Sequence, residues 1–277
     1  MNPSSPVETS PTQAMYRCAL VTGASSGLGE EYARQIAPLC DTIVLVARRG
    51  ELLETLASEL QLDQPSLHVH YITSDLTKGE KRENLAEKLS AAGLVPDLLV
   101  NNAGMGDYGS FQTSDWQKLD AMLQVNVTAL THLCHLFLPG MLEQGRGAII
   151  NVSSLASTLP IPDFAVYAAT KAYVSSFSEA LRLEMREFGI PVLAVCPGPV
   201  HTGFGQVAMR AESADALPSR GGFYVTKEQV VSDSIHALHA DKARVYPGWK
   251  IALLAAGISI LPMALVRTLS LSRRGKI

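Results

Sequence analysis

The chain has 277 residues, of which 47% are hydrophobic and 18% charged, and its 23 basic and 26 acidic residues leave a net charge of -3. This composition can bury a sizeable core, excludes disorder over most of the chain and excludes a broad nucleic-acid-binding surface. The four cysteines are widely spaced, with no C-x-x-C pair and no His/Cys cluster. We therefore predict neither a disulfide framework nor a structural zinc site, and expect a reducing, cytoplasmic location.

Strand-like and helical patterns alternate after residues 1–14, a stretch rich in Pro, Ser and Thr that we predict to be a flexible arm. The predicted strands are Tyr16–Thr22, Thr42–Ala47, Leu67–Thr73, Asp97–Val100, Ala148–Val152 and Val192–Cys196. The predicted helices are Gly27–Ile36, Gly50–Leu60, Gly79–Ala91, Ser114–Leu138 and Phe164–Phe188. The strands are almost continuously apolar, as parallel strands buried on both faces are. This order predicts an α/β fold with one doubly wound parallel sheet, which binds ligands at the carboxyl ends of its strands.

A glycine-rich loop joins the first strand to the first helix. It reads Thr22-Gly23-Ala24-Ser25-Ser26-Gly27-Leu28-Gly29. Glycines at a strand-to-helix turn let the backbone approach a pyrophosphate held at the helix N-terminus. The spacing is Gly-x3-Gly-x-Gly rather than Gly-x-Gly-x-x-Gly, but its place in the first βα unit favours dinucleotide binding over a purely structural turn.

The second strand ends at Ala47-Arg48-Arg49, where a carboxylate would bind the ribose 2′-hydroxyl of NAD. An arginine can instead bind a 2′-phosphate through charge-assisted hydrogen bonds. We therefore predict NADP(H) as cofactor, with Arg48 in the main role and Arg49 as its helper. The alternative is that both arginines are ordinary solvated surface residues.

Polar residues with catalytic potential follow the fourth and fifth strands. Tyr167 and Lys171 are spaced i,i+4, so both can reach one site, where a nearby ammonium is expected to lower the pKa of the phenol. Ser153 and Ser154 close the fifth strand, where a serine could orient a carbonyl oxygen. Asn126 interrupts an apolar helical face and needs buried partners. Asn101-Asn102-Ala103-Gly104 follows the fourth strand, and its glycine permits close approach to a cofactor.

An uncharged apolar stretch, Ile251–Val266, lies near the C-terminus, followed by the basic residues Arg273, Arg274 and Lys276. At sixteen residues, with Pro262 inside, it is shorter than a spanning helix, which needs about 20 apolar residues. The favoured interpretation is a helix that packs on the core, over the substrate cleft or in an oligomer interface. The alternative is an anchor at a membrane surface.

Taken together and in order, these motifs resemble the short-chain dehydrogenase/reductases of the single-domain type. The resemblance covers roughly Met15 to Tyr246 and includes TGASSGLG, Asp75-Leu76, NNAG, Asn126, the serine, YAATK and Cys196-Pro197-Gly198-Pro199. It implies seven strands and a catalytic serine thirteen residues before the tyrosine, which selects Ser154. The implied catalytic tetrad is Asn126, Ser154, Tyr167 and Lys171.

The resemblance also implies the cofactor contacts. Asp75 and Leu76 would border the adenine, Asn101, Ala103 and Gly104 would line the cofactor, and Thr202 would contact the carboxamide after Pro197, Gly198 and Val200. Lys171 would hold the ribose hydroxyls and Asn126 a relay water. The implied domains are the arm 1–14, a catalytic domain 15–247 with a substrate lid at 203–225, and an apolar extension 248–277.

The expected function is NADPH-dependent reduction of a ketone, or oxidation of a secondary alcohol, with Tyr167 as acid/base. The C-terminal apolar segment favours a lipophilic substrate. The resemblance further implies a homodimer or homotetramer. An alternative is a non-enzymatic, cofactor-sensing module that binds a protein partner. No metal site is expected, because His132 and His135 form an H-x-x-H pair without a further ligand.

Overall fold

A seven-stranded parallel sheet forms the centre of the computed structural model, which describes residues 14–210, 224–262, 264, 265 and 267. The strands are β1 (Tyr16–Thr22), β2 (Cys40–Ala47), β3 (His68–Thr73), β4 (Leu98–Asn101), β5 (Ala148–Val152), β6 (Val192–Val195) and β7 (Arg244–Val245). Their order is β3-β2-β1-β4-β5-β6-β7. The predicted doubly wound fold and the number of strands are confirmed. The predictions for the arm 1–13, for lid residues 211–223 and for the basic tail fall outside the described residues.

Helices flank both faces of this sheet. They are α1 (Gly27–Ile36), α2 (Gly50–Asp63), α3 (Gly79–Ala91), α4 (Trp116–Leu123), α5 (Leu130–Glu143), α6 (Ala165–Met185), α7 (Phe204–Ala208), α8 (Lys227–His239) and α9 (Trp249–Ser259). A π-helical turn, Gln124–Ala129, joins α4 to α5. The helical segment predicted at Ser114–Leu138 is therefore one continuous helical stretch, Trp116–Glu143, with a wider π turn between α4 and α5.

The sheet divides the interior into two apolar cores. Successive residues of a strand point to opposite faces, so Ala19 and Val21 of β1 join one core while Cys18 and Leu20 join the other. Helices α1, α2 and α8 cover the first core, and α3, α5 and α6 cover the second. Burial on both faces explains why the strands read as continuous apolar runs.

The strand order reverses between β1 and β4, which both pair with their neighbours in parallel. The loops that leave these two strands therefore diverge at the carboxyl edge of the sheet, where an α/β fold forms its ligand crevice. Loops after β2, β5 and β6 open on the same edge. The sheet thus brings all the motifs named above to one side of the molecule.

Length and composition alone would allow the continuous helical stretch Trp116–Glu143 to cross a membrane. Its apolar residues instead contribute to the core of the fold, with Leu133, Phe137 and Met141 buried against the sheet. Helix α9 is shorter and differs in its burial, since only Ile251 and Ala255 are buried along it.

Candidate active site

The loop between β1 and α1 is shaped to admit a ligand close to its backbone. Gly23 has a φ of +69°, and a Cβ at this position would lie 2.8 Å from Asn102 Nδ2. A Cβ at Gly29 would lie 2.1 Å from the Gly23 carbonyl oxygen. Side chains are therefore excluded from the inner turn, and the first N–H groups of α1 face the crevice with no side-chain cap from Ser26. This cradle fits the pyrophosphate of a dinucleotide.

The loop after β4 is tied directly to the glycine-rich loop. Asn102 Nδ2 donates to the Thr22 carbonyl oxygen at 2.9 Å, and Ala103 N donates to Thr22 Oγ1 at 3.1 Å. Gly104 lies beside the catalytic candidates, since a Cβ there would be 3.5 Å from Lys171 Nζ. The Asn101 side chain instead points into the core, where its Nδ2 donates to Asn151 Oδ1. Only the backbone of Asn101 is therefore available to a ligand.

The two arginines after β2 differ in their contacts. Arg49 Nη2 donates to Ser26 Oγ at 2.7 Å and to Ser25 Oγ at 3.0 Å. Arg48 is exposed, and among the described residues its side chain has no hydrogen bond or ion pair. The structure thus turns Arg49, rather than the favoured Arg48, toward the phosphate loop. Both arginines directly follow β2, the strand end at which we predict a 2′-phosphate to bind.

The remaining predicted cofactor residues surround the same crevice. Asp75 closes a turn by accepting from Thr77 N at 3.1 Å, and Leu76 is buried beside it. Thr202 lies opposite the glycine-rich loop, because a Cβ at Gly27 would be 3.4 Å from Thr202 Cβ. The loop between β6 and Thr202 contains three further predicted cofactor residues, Pro197, Gly198 and Val200. Leu28, in the first turn of α1, packs against the first of the two apolar cores.

Asn126 lies in the π-helical turn and its side chain is fully engaged with protein partners. Its Oδ1 accepts from Met105 N at 2.9 Å, while Nδ2 donates to Met105 O at 2.9 Å and to Thr170 Oγ1 at 3.1 Å. These bonds join the loop after β4 to α6. Wider π turns often occur at functional sites, but the relay water assigned to Asn126 stays a prediction.

The two serines at the end of β5 have different surroundings. Ser153 is buried, and its Oγ donates to the Lys171 carbonyl oxygen at 2.8 Å and lies 2.8 Å from Ser175 Oγ. Ser154 Oγ accepts from Ala156 N at 3.1 Å, and its hydroxyl lies near enough to the Tyr167 phenol to favour the ionised form of that group. Ser153 thus fixes the helix that carries the lysine, whereas Ser154 lies beside the phenol. Ser154 is thus the serine nearer the phenol, and its catalytic role stays a prediction.

Tyr167 and Lys171 occupy one face of α6 inside the protein. Lys171 Nζ lies 5.7 Å from the centroid of the Tyr167 ring and donates to the Val152 carbonyl oxygen at 2.8 Å. Burial raises the pKa of Tyr167 to about 12, while the hydrogen bond with Ser154 acts in the opposite direction. Burial also lowers the pKa of Lys171 to about 8.

The net lowering of the pKa of the phenol that was predicted from the Tyr167 and Lys171 spacing is wrong, because the pKa is raised. Loss of solvent dominates the pKa of the phenol, because both side chains are almost completely buried, and the Lys171 ammonium donates to a strand carbonyl. A phenol with a raised pKa keeps its proton at neutral pH. The phenol therefore holds a proton that it can donate.

Aromatic side chains that sequence reasoning missed enclose the phenol. The Phe164 ring stacks on the Tyr167 ring, with centroids 4.2 Å apart. The ring of Phe204, the first residue of α7, has its centroid 5.6 Å from that of Tyr167. Tyr108 meets Phe164 edge-on at 5.7 Å. The i,i+3 spacing of Phe164 and Tyr167 is a signal that could have found the first contact. The contact with Phe204 depends on tertiary structure.

A second cluster that sequence reasoning missed fixes the chain after α7. Arg210 Nε donates to Asp107 Oδ1 at 3.0 Å, and Arg210 Nη2 donates to Ser114 Oγ at 2.6 Å. Lys118 Nζ lies 2.9 Å from Asp107 Oδ1, and the Asp107 side chain is buried. Hydrogen bonds from Arg210 and Lys118 hold the pKa of Asp107 below its usual value. Residues 203–210 of the predicted lid are thereby anchored to the loop after β4.

The remaining polar candidates have structural roles. Arg82 Nε donates to His132 Nδ1 at 3.1 Å, and no group of three metal-ligating side chains occurs within the described residues. All four cysteines are buried and free.

Comparisons with known proteins give consistent results. A family model described as short chain dehydrogenase matches residues 17–213. Over 226 residues the chain is 34% identical to a sulfoacetaldehyde reductase of Chromohalobacter salexigens, covering 80% of this chain and 88% of that protein. It is 35% identical to the very-long-chain 3-oxoacyl-CoA reductase of Anas platyrhynchos over 196 residues, covering 69% of this chain but only 62% of that relative's length.

Solved structures share this architecture. A short-chain dehydrogenase from Sphingobium yanoikuyae in complex with NADPH superposes with a TM-score of 0.75 at 28% identity, covering 94% of each chain. A short chain dehydrogenase/reductase from Burkholderia phymatum in complex with NAD also has a TM-score of 0.75, at 26% identity, covering 87% of this chain and 92% of that one.

Proposed function

The chain belongs to the short-chain dehydrogenase/reductase family, and from this premise we propose that it is an NADPH-dependent carbonyl reductase that also oxidises the corresponding alcohol. The observation that carries the proposal is the placement of the Ser154 hydroxyl beside the buried Tyr167 phenol, next to Lys171, at the carboxyl edge of the sheet. These groups can hold a carbonyl oxygen and deliver a proton to it.

The chemistry divides between the cofactor and the chain. A bound nicotinamide cofactor supplies the hydride during reduction. Ser154 orients the carbonyl oxygen through a hydrogen bond, and Tyr167 donates its phenolic proton to that oxygen. Lys171 contributes a positive charge that stabilises the phenolate left behind. Asn126 fixes the position of α6 relative to the loop after β4 through Thr170 and Met105.

The substitution Tyr167→Phe tests the catalytic assignment. Phenylalanine keeps the stacking on Phe164 but removes the proton, so turnover should fall about 100-fold or more, the range attributed to general acids. NADPH binding, measured by fluorescence titration, should change little. Phe177→Tyr, elsewhere on α6, is a control that should keep its activity. An unchanged rate in Tyr167→Phe would refute the assigned acid, and an absence of turnover in the wild-type protein would favour the non-enzymatic alternative.

Preference for NADP(H) is part of the proposal. It is supported by the lack of a carboxylate after β2 and by the presence of Arg48 and Arg49 there. Of the two solved structures named above, one is in complex with NADPH and the other with NAD. The preference is therefore tested with variants of these two arginines. Loss of one charge-assisted hydrogen bond should reduce kcat/KM for NADPH roughly 10- to 100-fold. The value for NADH should stay nearly constant in Arg48→Ala and Arg49→Ala. Equal losses with both cofactors would contradict the preference.

The proposed substrate is a lipophilic ketone. The support is the aromatic lining of Phe164, Phe204 and Tyr108 around the catalytic phenol. A panel of aliphatic, aromatic and acyl ketones, compared with small polar carbonyls such as sulfoacetaldehyde, tests this choice. We expect higher kcat/KM for the apolar members. Reduction of the small polar carbonyls alone would contradict it.

We also propose a homo-oligomer, a dimer or tetramer, assembled through the helices before and after β5. Tyr173 and Leu183 of α6 and Trp116 of α4 are exposed apolar side chains that such an interface would cover. Light scattering coupled to size-exclusion chromatography measures the mass directly. A monomer at micromolar concentration would contradict this part.

A further inference from the structure

The segment from Trp249 onward presents apolar side chains to solvent. Six large ones are exposed along the described part of this segment, a surface called here the C-terminal face: Trp249, Leu253, Leu254, Ile260, Leu261 and Leu265. Trp249, Leu253 and Ile260 are 70%, 65% and 82% exposed. Isolated exposed apolar residues are common, but six of them within one short segment of the chain indicate an interaction surface.

Helix α9 is attached to the protein by one narrow stripe. Ile251 and Ala255, spaced i,i+4, are its buried residues, and Ile251 sits so close to Gly198 that a Cβ there would lie 2.5 Å from Ile251 Cδ1. The helix also packs against the 3-10 turn Leu155–Thr158, which follows Ser154. Among the residues that the structure describes, the attachment uses one side of the helix and leaves the C-terminal face exposed while α9 stays folded on the catalytic domain.

The charge of this segment differs from that of the rest of the chain. Residues 248–277 contain five basic residues and no acidic one, whereas the other 247 residues contain 18 basic and 26 acidic residues. Lys250 is exposed and its Nζ lies 5.7 Å over the Trp249 ring, and Arg267 is exposed at the far end of the described segment. Apolar surface is thus combined with positive charge at both ends.

We propose that the C-terminal face binds the surface of a membrane containing anionic lipids. Leucine, isoleucine and tryptophan side chains would enter the boundary between headgroups and acyl chains, while the basic residues meet the lipid phosphates. An eleven-residue helix is about 16 Å long, so α9 lies on a bilayer rather than crossing a hydrocarbon core of about 30 Å.

A second copy of this chain suits the face less well. A twofold contact brings the same surface patch of two subunits together, so it would place the basic residues of one segment near those of the other. Like charges at an interface oppose association, whereas anionic phosphates neutralise them. The charge pattern therefore favours a lipid surface over self-association.

Tryptophan fluorescence can test the contact at a defined position. The chain has two tryptophans, so Trp116→Phe leaves Trp249 as the reporter and Trp249→Phe leaves Trp116 as a control. Vesicles of equimolar phosphatidylcholine and phosphatidylglycerol should shift the Trp249 emission to the blue and leave the Trp116 emission unchanged. Vesicles of phosphatidylcholine alone should bind at least about tenfold more weakly, because the electrostatic attraction is lost. The proposal is overturned if neither kind of vesicle shifts the Trp249 emission, or if both kinds shift it equally.

A second measurement uses side-chain replacements in the full-length protein. Leu253→Ser should weaken co-sedimentation with the anionic vesicles about tenfold, the effect expected from removing one buried leucine. Leu62→Ser on α2, where the leucine is 80% exposed, is the matched control and should bind as the wild type does. Equal binding of both variants overturns the proposal. The proposal is also overturned if the wild-type protein does not bind vesicles and the Leu253→Ser variant has a smaller oligomeric mass. In that case the C-terminal face would join two copies of the chain.

Discussion

Lys171 carries its charge in a buried position, and its titration should be visible in the stability of the protein. The ordinary lysine pKa is 10.5, and burial lowers that of Lys171 to about 8 in the folded state. Between these values the unfolded chain binds more protons than the folded chain, so the free energy of unfolding rises with pH across this window. A complete titration contributes about 3 kcal/mol, present above pH 10.5 and lost as pH falls through 8.

The variant Lys171→Met isolates this contribution. Urea denaturation followed by tryptophan fluorescence, without added nucleotide, gives the free energy of unfolding of both proteins from pH 7 upward. The wild type should gain stability relative to Lys171→Met as pH rises from about 8 toward 10.5, by up to about 3 kcal/mol. The same comparison with Lys88→Met, an exposed position on α3, should show no such trend. A constant difference between wild type and Lys171→Met would mean that the ammonium is solvated in the folded protein and would refute the reasoning.

Three further predictions concern the surroundings of the site. Arg210→Ala removes the main partner of the buried Asp107 carboxylate and should lower the free energy of unfolding by about 3 kcal/mol in urea titrations. A loss below about 1 kcal/mol would contradict the burial of this ion pair. Phe204→Ala opens space beside the phenol and should raise kcat/KM for bulky ketones several-fold relative to small ones, with a uniform change arguing against contact with substrate. Gly29→Ala places a methyl group 2.1 Å from the Gly23 carbonyl oxygen and should weaken NADPH binding at least about tenfold, whereas an unchanged Kd would show that the loop adapts.

The fold could be predicted because its signals are local and repeated. Strands β1 and β5 and helices α1 and α3 have the predicted bounds, since buried parallel strands are continuous apolar runs and their helices begin near turn residues. Strand β7 has only two residues, too few to create a pattern. Its pairing with β6 depends on the tertiary structure.

The residues of the candidate site could be predicted from the sequence, but the pKa values of those residues could not. The spacing of Tyr167 and Lys171 correctly predicts that they share a face, yet their pKa values depend on desolvation by elements distant in sequence. Similarly, the sequence places Arg48 and Arg49 at the same strand end without deciding which one turns inward. That choice depends on the Ser25 and Ser26 hydroxyls, whose positions follow from the turn.

The two attachments around the segment 203–225 have an evolutionary consequence. Arg210 fixes one end of residues 211–223 to Asp107, and Val225 N donates to Pro199 O at 3.2 Å at the other end. Both attachments involve residues outside the interval 211–223, so sequence changes within those thirteen residues leave the attachments in place. From the substrate lid predicted at 203–225 we expect new substrate preferences to arise in this interval while Tyr167 and Lys171 keep their positions. Grafting this interval from a relative should transfer selectivity between ketones without loss of folding.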